Sequence, residues 1–241
     1  MENRVQLLGI AVDIASTKVA SEASIKFLED ESSKVVYFVN SETLLLLQNK
    51  EQDTDIFENC EMILPGTTSV NVSINEALGQ KRDPFFLESY FDALFEFAIE
   101  NGKEIQLIAG SKEQFESVQE NIHEKWAYLT LSGNYLTEQD NSYEHIVNEI
   151  NSIAPDILIL ALSEKEQLIL LEEYRNQINA GLMLFTGNIL YHQAVSEAKV
   201  PDSIEKLKIA NLYKWFRKGD GGKNWFNNIK MKLRIKRDKQ D

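Results

Sequence analysis

The chain has 241 residues, a net charge of -13 and one cysteine, Cys60. That length can bury roughly 70 % of the unfolded surface, enough for one large domain or a domain with a small appendage. A single cysteine excludes an internal disulfide scaffold and fits a reducing, cytoplasmic setting, and an acidic body argues against nucleic acid as a partner.

The charge is uneven. Residues 214–241 hold ten Lys/Arg against three acids, a balance of +7, while the first 213 residues hold fifteen against thirty-five, a balance of -20. Such a tail suits an anionic membrane surface or an acidic partner. The amino-terminal MENRVQLLGIAVD reads neither as a signal peptide nor as a span, and no apolar run elsewhere approaches twenty residues. The expectation is a protein that is soluble or held only at a membrane surface.

In chain order, Val5 to Val12 reads as a first strand, and Ser16 or Thr17 can cap a helix whose apolar face holds Val19, Ala23, Phe27 and Leu28. Lys34 to Val39 is a strand ending at Asn40, Ser41 and Glu42, with a helical run from Leu44 to Gln48. Met62 to Leu64 is a short strand ending at Pro65 and Gly66, and Ser69 to Leu78 a helix closed by Gly79. Residues 80–84, with Lys81, Arg82, Asp83 and Pro84, break the pattern and form the candidate seam between two halves. Phe85 to Ile99 is a helix whose aromatic stripe, Phe86, Tyr90, Phe91, Phe95 and Phe97, suits a core.

Glu104 to Ala109 follows as a strand, Gly110 as a turn, and Ser111 with Gln114 as a capping box opening a helix to Lys125. Trp126 to Leu131 is a predicted strand, Gly133 and Asn134 a turn, and Asn141 to Ser152 a helix. The stretch PDILILALSEKEQ, Pro155 to Gln167, organises the rest. Its apolar run, Ile157 to Leu162, fits a strand buried on both faces, and ligands of open α/β sheets bind beyond the carboxyl ends of such strands. Against this, Ser163 and Glu166 can simply be a capping box. A helix from Leu168 to Ile178 and a strand from Leu182 to Phe185, ending at Thr186, Gly187 and Asn188, complete the alternation. The predicted fold is α/β, a Rossmann-like, mostly parallel sheet with flanking helices.

Beyond Pro201 the composition changes. Ile204 to Phe216 can form an amphipathic helix, Gly219, Gly221 and Gly222 break it, and Trp225, Phe226, Ile229 and Leu233 lie among clustered Lys/Arg, the composition of a membrane-surface anchor. The expected organisation is therefore an α/β domain over 1–202 and a short basic appendage over 203–241.

Several chemistries lack their usual motifs. His123, His145 and His192 stand in unrelated contexts, with no HExxH or CxxC, so no metal is expected. There is no GxGxxG, Walker loop or GxSxG, and no cofactor is expected. Cys60, in NCEMIL, has a setting that raises its pKa and reads as structural.

The polar strand ends run VVYFVNSE, ILPGTTSV, IQLIAGSKEQ, PDILILALSEKEQ, LFTGNI, AKVP and LYKWFR. In order and spacing this series resembles the WecG/TagA/CpsF glycosyltransferases, glycosyltransferase family 26, from about Val5 to Arg217. The resemblance implies transfer of a sugar from a UDP-sugar to a polyprenyl-diphosphate-linked acceptor in surface-polysaccharide or wall-polymer assembly, at the inner face of the cell membrane. It carries Asn40 and Glu42 onto the Asn and Glu of TxNxE, Lys165 onto the Lys of PKQE, and Gly187 onto the second Gly of a GG turn. Lys199 to Pro201 stands for RAP, and Arg217 for the arginine of the carboxyl-terminal appendage.

The departures are as informative. Gly66 stands where the family's proposed catalytic aspartate is expected, Phe38 replaces a threonine, Leu162 and Glu164 replace the Gly and Pro of GxPKQE, and Glu166 and Gln167 invert its Gln and Glu. The implied substrate site gathers Asn40, Thr67, Thr68, Ser69, Lys165, Gln167, Gly187, Lys199 and Arg217, with Glu42 as a candidate base. The alternative is a degenerate member acting as a non-enzymatic partner of an active paralogue.

Overall fold

The computed structural model describes residues 3–30, 32–48, 54–137 and 143–191. Lys199, Arg217, the helix expected from Ile204 to Phe216 and the basic appendage lie outside the described residues.

The first predicted strand is instead a hairpin. Strands β1 (Arg4–Leu7) and β2 (Ile10–Asp13) pair antiparallel. Leu8 and Gly9 between them both have positive φ, 51° and 94°, the left-handed pair that a tight two-residue hairpin turn requires. The apolar residues on either side conceal the turn, because Leu8 is not a residue that announces one. Arg4 Nε donates to Asp13 Oδ1 at 2.9 Å, and the N–H of Ile63 donates to Asp13 Oδ2 at 2.8 Å, which ties the hairpin to the main sheet.

Helix α1 (Thr17–Phe27) is capped by Ser16, which accepts from the N–H of Val19. Its buried side holds Ala20, Ser21 and Ser24, whereas Val19 is 48 % exposed. Ala23, Phe27 and Leu28 of the predicted face pack half-buried against the core and only Val19 turns outward, while the small residues lie on a helix rich in large ones: Ser24 Oγ bonds the hydroxyl of Tyr90 at 2.7 Å.

Strand β3 (Lys34–Val39), helix α2 (Ser41–Gln48), strand β4 (Met62–Pro65) and helix α3 (Thr68–Leu78) follow, α3 ending on left-handed Gly79. Helix α4 (Leu87–Glu100) buries Tyr90, Phe91 and Phe95, and Phe38 packs on the first two rings. The stripe is core, with Phe86 left exposed at the helix start. The 80–84 connection is held at Asn71, which accepts from Arg82 and from the N–H of Phe85 and donates back to the Phe85 carbonyl.

Strand β5 (Ile105–Ala109) and helix α5 (Lys112–Lys125) precede β6 (Leu131–Tyr135). The predicted strand from Trp126 and turn at Gly133 are both displaced. Trp126 ends α5, its ring edge-on to Phe95 at 4.9 Å between centroids. Gly133 lies inside the strand, where a β-carbon would overlap the Leu107 carbonyl and crowd Phe115, so glycine permits the close approach. Helix α6 (Glu144–Ile153), strand β7 (Ile157–Ala161), helix α7 (Glu164–Ile169) and strand β8 (Leu182–Phe185) complete the described chain. The helix after β7 starts at Glu164 rather than Leu168, and loosens into a π turn at Leu170–Tyr174 and a 3₁₀ turn at Arg175–Gln177.

Six strands form one parallel sheet in the order β4-β3-β8-β7-β5-β6. The hairpin, α2, α3, α6 and α7 contribute buried side chains to one face, and α1, α4 and α5 to the other. Strand β7 is buried throughout, as an apolar run in a covered parallel sheet should be. Among the described residues, no helix is long and apolar enough to cross a membrane.

Candidate functional site

All six strands point the same way, so their carboxyl ends share one edge of the sheet. There the chain turns at Asn40 after β3, Gly66 after β4, Gly110 after β5, Ser163 after β7 and Thr186–Gly187 after β8. The Gly66 N–H donates to the Val39 carbonyl at 2.7 Å, joining the β3 and β4 ends.

Asn40 caps α2, its Oδ1 accepting from the N–H groups of Glu42 and Thr43 at 2.7 and 3.0 Å. Its Nδ2 donates to Glu164 Oε1 at 2.5 Å. Ser163 and Glu166 form the complete capping box, which turns Glu164, the first residue of α7, inward toward β3. Glu164 is 3 % exposed. Its Oε1 also accepts from Gln167 Nε2 at 3.2 Å, and its Oε2 from the hydroxyls of Thr43 at 2.6 Å and Tyr37 at 3.1 Å. Each carboxylate oxygen thus takes two hydrogen bonds, its full complement, and all four donors are neutral. Burial, reinforced by the charge of Glu42, outweighs these bonds and pushes the Glu164 carboxyl up to about 7. The same burial, with Glu164 beside it, raises the Tyr37 phenol well above its ordinary value.

Gln167, fully buried, accepts from the Gly187 N–H through Oε1 at 2.8 Å. Gly187 has φ 61°, and a β-carbon there would overlap Glu164 Oε1. Of the sequence-predicted site residues, the structure therefore joins Asn40, Gln167 and Gly187 in one network. Glu42 stands beside it, half-buried, with its N–H on Asn40.

Thr67 and Ser69 lie at the adjoining β4 end, their hydroxyls 2.9 Å apart, and Thr68 is exposed. Thr67 occupies the cap position of α3 without a side-chain cap bond, whereas Ser16, Ser111 and Ser163 cap their helices. Lys165 is exposed on α7, outside the Glu164 network. At Gly66 a β-carbon would meet Ile189 Cδ1, the tip of a side chain, and lie 3.1 Å from the Val39 carbonyl, so a larger side chain there requires Ile189 to turn away.

Sequence reasoning misses Glu164, Thr43 and Tyr37. A signal for the first existed, an acid at the first helical position after a buried strand. Tyr37 is hidden in an apolar run, and Thr43 is masked by four following leucines. Cys60 is buried, and its thiol is pushed up to about 12, chiefly by that burial.

A doubly wound parallel sheet with its polar groups gathered at the carboxyl edge defines an α/β protein of the kind that binds ligands beyond its strand ends. The chain belongs to the glycosyl transferase WecG/TagA/CpsF family, whose model matches residues 5–220. This is a family of glycosyltransferases of cell-surface polysaccharide assembly. No curated protein matches the chain.

Proposed function

We propose that the protein transfers a sugar from a UDP-sugar to a polyprenyl-diphosphate-linked acceptor. The observation that carries this reading is the amino end of α3, where, among the described residues, Thr67 makes no side-chain cap bond and the hydroxyls of Thr67, Thr68 and Ser69 gather at the strand edge beside Asn40. Helix N–H groups and hydroxyls suit the diphosphate of a nucleotide sugar, and they favour the charge that develops as UDP departs. Lys165, Lys199 and Arg217 add cations to this proposed donor site, and Glu42 is the proposed base. Titration calorimetry with UDP tests the reading. Binding in the micromolar to millimolar range is expected for a working transferase, and Thr67→Ala together with Ser69→Ala weakens it; no heat at millimolar UDP overturns the reading.

A second reading rests on Ile189. Its Cδ1 fills the space into which a side chain at position 66 would project, so the position expected to hold the family's aspartate carries no carboxylate and is covered by an apolar group here. That favours a non-enzymatic subunit that stabilises or positions an active paralogue. Co-purification with such a paralogue, in the absence of UDP binding, supports it.

In either reading the tail brings the protein to the inner membrane face. Its ten Lys/Arg favour anionic lipid by on the order of 1 kcal/mol for each well-placed cation. Deleting residues 219–241 then abolishes sedimentation with anionic vesicles. Equal sedimentation of the truncated and intact chains excludes the tail as the anchor.

A further inference from the structure

Glu164 occupies the family's proline position, so the motif assigns it no role. It nevertheless stands at the centre of the strand-end network, linking β3, α2, α7 and the turn after β8. Thr43 gives the network two alternative patterns. Its Oγ1 lies 2.6 Å from Glu164 Oε2 and 3.3 Å from Asn40 Oδ1, and a hydroxyl has one hydrogen to place.

We propose that Glu164 is a positioning residue for the strand-end site, setting the hydrogen bonding of the Asn40 amide through the Thr43 hydroxyl according to whether its carboxyl carries a proton. With Glu164 ionised, the Thr43 hydroxyl donates to Oε2. When a proton from solvent binds Oε2, that O–H donates to Thr43 Oγ1, and the Thr43 hydrogen turns to Asn40 Oδ1. Tyr37 still donates to Oε2, so every polar atom keeps a partner in both states. Asn40 Oδ1 already caps α2, so the exchange alters the hydrogen bonds of the helix end beside the proposed donor site. Among the described residues, the titratable groups that act most on the carboxyl are Glu42 on α2 and Tyr37 on β3. The β8 side presents the backbone of Gly187. With a carboxyl poised near 7, both states are populated at neutral pH.

The inference takes the strand-end edge as the donor site, and two readouts separate its failure from failure of that reading. The first is the side-chain amide resonance of Asn40 in the full-length, isotope-labelled chain. It shifts through a transition near pH 7 in the native protein, stays put in E164Q, keeps its transition in T43S, and in T43V, which has no hydroxyl to turn, retains only the smaller shift carried by the direct bond from Asn40 Nδ2 to Glu164 Oε1; an undiminished shift in T43V overturns the relay. An Asn40 amide that ignores pH, or that titrates equally in E164Q, overturns the proposal whether or not UDP binds.

The second readout is UDP calorimetry on either side of the transition. UDP itself titrates in this range, so the comparison is between proteins at each pH. The ionised carboxyl repels the diphosphate, and native affinity falls about tenfold relative to E164Q as pH rises through the transition. Parallel profiles in the two proteins overturn this link. An absence of UDP binding in both sinks the donor-site reading, and the amide titration then decides the proposal by itself.

Discussion

Two buried carboxylates hold this molecule together by different means. Asp13 is fully buried, with the guanidinium of Arg4 at 2.9 Å and the N–H of Ile63 on its other oxygen. Glu164, 3 % exposed, is met by four neutral donors and makes no ion pair among the described residues. A cation compensates charge, whereas neutral donors only solvate it, so one carboxylate is a fastener and the other a group whose charge is negotiable near neutral pH. The fastener lies where the hairpin meets β4, away from the polar turns at the carboxyl edge, and the negotiable group lies among them.

Removing the cation from the fastener has the largest expected effect. Arg4→Met leaves Asp13 buried without its partner and costs on the order of 3 to 4 kcal/mol, the side chain of Arg4 being one-third exposed; denaturant unfolding measures it. A cost below 1 kcal/mol means that the Ile63 N–H alone satisfies Asp13.

Next in size is the pH dependence of Glu164. Its folded pKa is raised from 4.5 to about 7, so its stabilising contribution is complete below pH 4.5 and is lost as pH rises through about 7. Relative to E164Q, which cannot titrate, the native protein gains about 3 kcal/mol between those limits as pH falls. Parallel stability curves for the two proteins mean that the Glu164 carboxyl does not change its charge between those limits on folding. The smallest effect concerns the turn that closes over Glu164. Gly187→Ala is strained at φ 61° and presses on Oε1, at a cost of about 2 kcal/mol in unfolding free energy. An unchanged midpoint would mean that the turn can shift without disturbing the carboxyl.

Strands β3, β4, β7 and β8 are legible in the sequence because a covered parallel strand must be apolar at every position, and each run ends on residues that cannot continue it. The hairpin is not, because Val5 to Val12 is equally apolar and its turn places Leu8 in the left-handed region. Strand β6 is not, because it is only partly covered, unlike β4 at the opposite edge, against which the hairpin lies, and Gly133 serves a close approach there rather than a turn. At the site, Asn40, Gln167 and Gly187 are legible as polar strand ends. That Asn40 and Gln167 spend most of their hydrogen bonds on the protein itself is not, since this depends on Tyr37 and Glu164, 127 positions apart, meeting across β3 and α7. Burial decides Glu164's role, and burial of an acid is what composition argues against.

The strand order also governs how the chain can assemble during synthesis. Strands β3 and β4 pair with each other, as do β5 and β6, but these two pairs touch only through β7 and β8, which occupy the middle of the sheet and emerge last among the described strands. Until β7 has left the ribosome the chain can hold only two separate two-stranded ribbons; β7 then extends the β5–β6 ribbon, and β8, complete at residue 185, joins it to β3. The sheet closes from its centre, so the segment that supplies Glu164 is also the one whose arrival makes the protein a single body.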